Sequence, residues 1–220
     1  MKEKISNLHV IFRNPKSSIL AVSVLLIVSF TTIINFGIFE AKANQNCPRE
    51  SDYCVSDTFV EFWEANGSES YLGLPISEER TETIEGREYP VQWFERAKLE
   101  FHEENESPYK ILLGRLGAEQ FEESSNSVNN FTANRSDCIS FTQTDQTVCG
   151  QFKQKYLEIG GYSDLSNENL QASIALVGLP ISDQISQNQK TVQWFERARI
   201  EISQTGEIQL AQLGNESLGL

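Results

Sequence analysis

Histidine is almost missing from this 220-residue chain, which has His9 and His102 and no others. Cysteine is scarce too: Cys47, Cys54, Cys138 and Cys149 are the four present, and neither neighbouring pair has C-x-x-C spacing. A zinc site therefore lacks its ligands, and a nucleophilic triad lacks its parts. His102 also lacks a counterpart in the duplicated stretch described below, where Ile202 follows Glu201, so it reads as an ordinary surface residue. The sequence calls for no metal and no cofactor. Basic side chains are outnumbered, 18 Lys and Arg against 31 Asp and Glu, for a net charge of −13. A surface of that sign repels phosphate backbones and anionic headgroups, which argues against nucleic acid and against peripheral membrane binding. The plainest role of the charge is solubility.

What the chain does have is a duplication. Val91-Gln92-Trp93-Phe94-Glu95-Arg96-Ala97 recurs letter for letter as Val192-Gln193-Trp194-Phe195-Glu196-Arg197-Ala198. Gly73-Leu74-Pro75-Ile76-Ser77 precedes the first copy and Gly178-Leu179-Pro180-Ile181-Ser182 the second, while Leu116-Gly117 and Leu213-Gly214 follow them. The expected organisation is residues 1–43 as a targeting segment, 44–120 as one repeat, 121–136 as a Ser-, Asn- and Glu-rich linker, and 137–220 as a second repeat.

Lys2, Lys4, Arg13 and Lys16 form a basic start, and residues 17–39 then run without a charge. With Ala41-Lys42-Ala43 as a small-x-small cleavage pattern, the stretch reads as an export signal cut before Asn44. A retained anchor is the alternative, since 23 uncharged residues at about 1.5 Å each just cross a hydrocarbon core of about 30 Å. The protein is thus expected outside the cell or at its envelope, touching membrane only through residues 17–39 if these are kept. Cleavage removes five basic and two acidic residues, leaving 13 against 29 and a net charge of −16. All four cysteines lie in the exported part, where disulfides are the natural reading. Three connectivities are possible. Each repeat owns one pair, which favours Cys47–Cys54 and Cys138–Cys149, each adding about 2–3 kcal/mol by closing a short loop.

Within a repeat, Ser56-Asp57 is expected to cap a helix whose Phe59, Phe62 and Trp63 share one face, with Gly67 as its stop. Phe152, Tyr156 and Ile159 repeat that spacing, so Trp63 and Tyr156 occupy one place. The second copy inserts about ten residues between Gly161 and Gly178, in which Leu170, Ile174 and Leu176 suggest an added helix on the surface or along one wall of a groove. The polar segments 78–88 and 183–190 read as loops. Val91–Glu95 and Lys98–His102 read as a β-hairpin or a strongly bulged strand. Tyr109–Leu113 and Ile208–Leu210 give a further strand, after which each Leu-Gly pair closes its unit. The fold class is α+β, two tandem repeats, each with a short helix, a Gly-x-Pro turn and a small antiparallel hairpin or sheet.

Leu-Gly-Leu-Pro followed by Gln-Trp-Phe-Glu-Arg-Ala resembles the LGFP repeat, with Ala97 and Ala198 where that family has glycine. The longer string, from the cysteine before the helix to the closing Leu-Gly, is similar to repeats in exported proteins of Chloroflexota-type bacteria. The resemblance spans nearly all of residues 44–220. It implies a cell-envelope protein that binds cell-wall carbohydrate or anchors a partner there.

Residues of the heptapeptide are the candidate ligand contacts. Trp93 and Trp194 offer a flat face to a sugar ring, and Gln92 and Gln193 offer amide hydrogen bonds; the competing reading makes both tryptophans core. Glu95, Arg96, Glu196 and Arg197 either project into a ligand groove or form ion pairs that lock the hairpin to the Gly-x-Pro turn. Adjacent positions on a strand face opposite ways, so Glu95 and Arg96 are not expected to pair with each other. A glycoside hydrolase would need two facing carboxylates, such as Glu95 with Glu100, and nothing in the spacing singles that pair out. The function expected is a non-catalytic envelope module recognising cell-wall or extracellular polysaccharide, with interaction with another envelope protein as the alternative and a hydrolase as the weakest reading. Exposed aromatics near the tryptophans would favour glycan, and a broad apolar patch would favour a protein.

Overall fold

Each Gly-Leu-Pro-Ile-Ser segment pairs with the heptapeptide that follows it. In this computed structural model, which describes residues 46–124, 129–130, 137–161 and 167–220, Pro75 bridges Phe94 and Pro180 bridges Phe195, antiparallel in both cases. Backbone bonds flank each bridge: Ile76 N to Trp93 O at 2.9 Å and Glu95 N to Leu74 O at 3.0 Å in the first half, Ile181 N to Trp194 O at 2.9 Å and Glu196 N to Leu179 O at 3.0 Å in the second. Proline has no N–H to give, so the ladder borrows the amide after it.

The elements in chain order are α1 (Val60–Ala65), the single turn α2 (Ser68–Tyr71), β1 (Arg80–Ile84), β2 (Arg87–Trp93), β3 (Lys98–Phe101), β4 (Ile111–Leu113), α3 (Leu116–Ser124), β5 (Asn129–Asn130), β6 (Cys138–Phe141), β7 (Gln146–Cys149), α4 (Gly150–Ile159), α5 (Asn167–Val177), β8 (Ile185–Gln187), β9 (Lys190–Trp194), β10 (Arg199–Ile202), β11 (Ile208–Leu210) and α6 (Leu213–Leu218). They make an α+β fold with three antiparallel sheets, in the orders β1-β2-β3-β4, β11-β10-β9-β8-β5 and β6-β7. The heptapeptide reverses as a hairpin, Trp93 opposite Lys98 and Trp194 opposite Arg199, with Phe94 N on Ala97 O and Phe195 N on Ala198 O closing the loops.

Several expectations need correction. The polar segments are strands, not loops: β1 and β8 each pair with the strand that carries the heptapeptide. Positive φ at Glu85 and Gly86, and at Asn188 and Gln189, makes two-residue turns whose twist suits a hairpin. Each Leu-Gly pair opens a helix rather than closing a unit, and α3 runs on to Ser124. The helix at Val60 is not capped by a side chain; Ser56 bonds Glu79 instead, at 2.6 Å. The hairpin β6-β7 adds a third sheet, with Ile139 and Phe141 alternating inward along it. Among the described residues no helix is long and apolar enough to cross a membrane. The expected targeting segment, residues 1–43, lies outside the described residues.

Both expected disulfides are present, Cys47–Cys54 and Cys138–Cys149, the second joining directly opposed residues of β6 and β7. The inserted stretch forms α5 as expected. Gln45–Leu220 is one compact unit with two apolar clusters, and neither belongs to one half alone. Phe59, Phe94, Phe152, Tyr156 and Phe195 share the first. Val91, Trp93 and Leu116 join Val192, Trp194 and Leu213 in the second.

Candidate functional site

The heptapeptide is the place to begin, because every letter of it has an internal partner. Gln92 and Gln193 are wholly buried. The Gln92 amide donates to Cys54 O at 2.7 Å and Ser77 O at 3.0 Å and accepts from Ser56 N at 3.0 Å. Gln193 donates to Thr147 O at 2.8 Å and Ser182 O at 3.0 Å, while its Oε1 has no partner among the described residues. Each glutamine thus pins the disulfide-bearing segment to its sheet. Trp93 is 7% exposed and Trp194 1%. The Trp93 indole N–H donates to Glu82 at 2.7 Å and that of Trp194 to Gln187 at 3.2 Å. Lys98 lies 5.3 Å from the Trp93 ring centre and Arg199 4.7 Å from that of Trp194, and Phe121 packs on Trp194. These tryptophans are core residues with cations over their rings, and no face is left for a sugar.

Glu95 and Arg96 meet at 3.4 Å, contrary to expectation, because they sit in the hairpin loop where strand alternation no longer applies; Glu196 and Arg197 meet at 3.7 Å. Their main bonds hold the turn segment. Glu95 accepts from Leu74 N at 3.1 Å and Glu196 from Leu179 N at 3.0 Å; Arg96 donates to Glu69 O at 3.1 Å and Arg197 to Ile174 O at 3.4 Å. Gly73 and Gly178, at φ near +87° and +88°, have a glutamate Cβ where their own would go, so only glycine fits. Trp63 and Tyr156 do occupy one place: the indole donates to Gly73 O and the phenol to Gly178 O, each at 3.0 Å. Burial pushes the Tyr156 phenol well above the usual range, reinforced by the Glu196 charge.

Open space lies beside the second heptapeptide, whose Arg197 lines it. A groove of about 930 Å³ runs between α1, the segment before β4, and the facing helices α4 and α5. Phe62, Tyr71, Ile111, Ile159 and Leu176 supply apolar walls, and Tyr109, 67% exposed, stands at its mouth. Tyr71 is fixed by donating to Leu176 O at 2.7 Å, which ties the two walls together; burial pushes its phenol far up, against the lowering effect of Arg197. Ser70, Lys155 and Leu210 also line a polar pocket of about 330 Å³ that holds Arg96, Lys190 and Glu201. No family model, curated protein or solved structure matches the chain.

Two parts of the groove come from segments in which the two copies differ. The connection from β3 to β4 has nine residues, 102–110, whereas that from β10 to β11 has five, 203–207, and the longer one carries Tyr109. The opposite wall is α5, the insertion of the second copy. Phe62, Tyr109 and Leu176 were not among the candidate residues. The length differences between the two stretches of sequence were the available signal for Tyr109 and Leu176.

Proposed function

We propose that the protein is an exported, non-catalytic binding module of the cell envelope that seats an apolar segment of a protein partner in the groove between α1 and α5. In this reading the duplicated unit, a helix, a Gly-x-Pro turn and an antiparallel sheet, is LGFP-like scaffold. The observation that carries the proposal is the groove itself: large, lined by Phe62, Tyr71, Ile111, Ile159 and Leu176, and completed by Tyr109 and α5, which have no counterpart in the other copy. Pockets of this size and lining are the usual seats of apolar ligands. The eight heptapeptide candidates, Gln92, Trp93, Glu95, Arg96, Gln193, Trp194, Glu196 and Arg197, become scaffold in this reading. The pair a glycoside hydrolase would need is engaged elsewhere: Glu95 holds Leu74 N, and Glu100 lies 3.2 Å from both Lys98 and His102.

A glycan remains the second reading, supported by one observation, the exposed ring of Tyr109 at the groove mouth. One experiment separates the two. A photo-crosslinking residue replaces Tyr109, or Tyr53 on the disulfide loop as control, and the protein is offered envelope proteins and insoluble cell-wall polysaccharide separately. Specific protein adducts from position 109 that Leu176→Glu abolishes are expected. Retention on polysaccharide that Tyr109→Ala abolishes would put the glycan first, and neither result would remove the groove as a site.

A further inference from the structure

The second apolar cluster is closed by an exchange. Helix α3 belongs to the first half of the chain but docks on the second heptapeptide, and α6 belongs to the second half but docks on the first. Ala118 N donates to Glu196 O at 3.0 Å, while Gly214 N and Asn215 N donate to Glu95 O at 3.0 and 3.2 Å. A Cβ on Gly117 would collide with the Phe195 carbonyl, and one on Gly214 with the Phe94 carbonyl, so backbone meets backbone at both places. Gln120 then joins the two helices, donating to Leu213 O and Ser217 Oγ, each at 2.8 Å. Leu116 and Leu213 are wholly buried beneath them.

Each half therefore carries one knob, the Leu-Gly start of a helix, and one socket, the heptapeptide loop with its free carbonyls. The knob of either half fits the socket of the other, and contacts related in this way are self-complementary. The identity of the two heptapeptides follows: two sockets that receive the same knob have the same shape to keep. Both apolar clusters draw residues from both halves.

We infer that this knob-and-socket face is a recognition surface for a second half of the same signature, and that the covalent connection only selects which half is used. Its partner is the other half of the same chain when the connection allows, and the matching half of a second copy when it does not. The inference is independent of what the groove binds.

The test uses the whole folded chain with a protease site in place of residues 131–136. After cutting, the two pieces are expected to elute together, with the near-ultraviolet spectrum of the uncut protein. Mixing cut protein from a tagged and an untagged copy is expected to give hybrid complexes. Glu119→Gln, on the exposed face of α3, should leave hybrid formation unchanged, and Gly214→Ala should reduce it at least tenfold. Since Gly214→Ala can also prevent folding, deletion of residues 131–136 is the second measurement: light scattering should find a folded dimer. Pieces that separate after cutting, whether folded or not, would overturn the inference, as would a deletion variant that stays a folded monomer.

Discussion

Trp63 in the first half and Tyr156 in the second make the same bond, each donating to the carbonyl of the glycine that opens the Gly-Leu-Pro turn. Trp93 and Trp194, by contrast, are the same residue in the same place with different acceptors, Glu82 and Gln187. Farther out the halves diverge in length, at the connection that carries Tyr109 and at α5. The two copies thus agree where the backbone must be held and differ at the Tyr109 connection and at α5. A residue repeated in both halves reports on packing, and a residue present in one half reports on what that half adds. On this comparison the heptapeptide, the strongest signal in the chain, reports first on packing, with Arg96 and Arg197 also reaching the walls of the two pockets.

The sharpest way to break the comparison is at Gly117 and Gly214. If the exchange is symmetric in energy as well as in contacts, Gly117→Ala and Gly214→Ala should cost alike, about 3 kcal/mol or more each, because the added methyl meets rigid backbone that cannot give way. Urea denaturation would measure both. A cost below about 1 kcal/mol at either position would show that one docking is dispensable and that the halves are not equivalent.

A smaller effect separates Gln92 from Gln193. Both are buried, but Gln92 makes three bonds, whereas the Oε1 of Gln193 has no partner among the described residues. Replacing Gln92 by leucine leaves two carbonyls and one N–H unpaired, and the same change at Gln193 leaves two carbonyls while removing an oxygen that bonded nothing. Gln92→Leu is therefore expected to be the costlier, by about 1 kcal/mol. Equal unfolding midpoints would mean that the Gln193 oxygen is satisfied after all.

Local features of this fold were legible because local rules produced them. The aromatic face of α1, the hairpin of the heptapeptide, the added helix α5 and both disulfides follow from periodicity, β-formers and cysteine placement. The strands β1 and β8 were not legible: Arg-Thr-Glu-Thr-Ile lies largely exposed and shows no apolar alternation. Their turns, Glu85-Gly86 and Asn188-Gln189, are weaker hairpin signals than Asn-Gly. The Leu-Gly pairs misled because glycine ordinarily ends a helix, and here it begins one so that another backbone can approach. Nothing local could show the exchange, which joins Gly117 to Phe195 and Gly214 to Phe94 across long stretches of chain. The insertion was legible as one wall of a groove, and α5 is such a wall; what faces it, Phe62 on α1 and Tyr109 in the β3–β4 connection, comes from distant stretches of chain and was not.

The gentlest contrast is electrostatic and turns on Glu82, which stands where the second half has Gln187. Burial by itself would raise the Glu82 carboxyl, but hydrogen bonds from Trp93 and Arg80, and the charges of Lys98 and Arg80, outweigh it and hold it below the ordinary 4.5. Burial would likewise raise Glu201, and there the hydrogen bonds from Lys190 and Gln209, with the Arg199 charge, reverse the direction. A carboxyl whose folded value is depressed stabilises the fold fully above its unfolded value, and that stabilisation is lost as pH falls through the folded value. Stability should therefore be level from neutral pH to about 5 and decline below the ordinary 4.5. Glu82→Gln makes the first half resemble the second, with a neutral acceptor for the indole. It should flatten part of that decline and leave the share that belongs to Glu201. Melting temperatures between pH 6 and pH 3 would read the difference, and identical slopes in the variant and the parent would show that Glu82 holds no charge-dependent share of the fold.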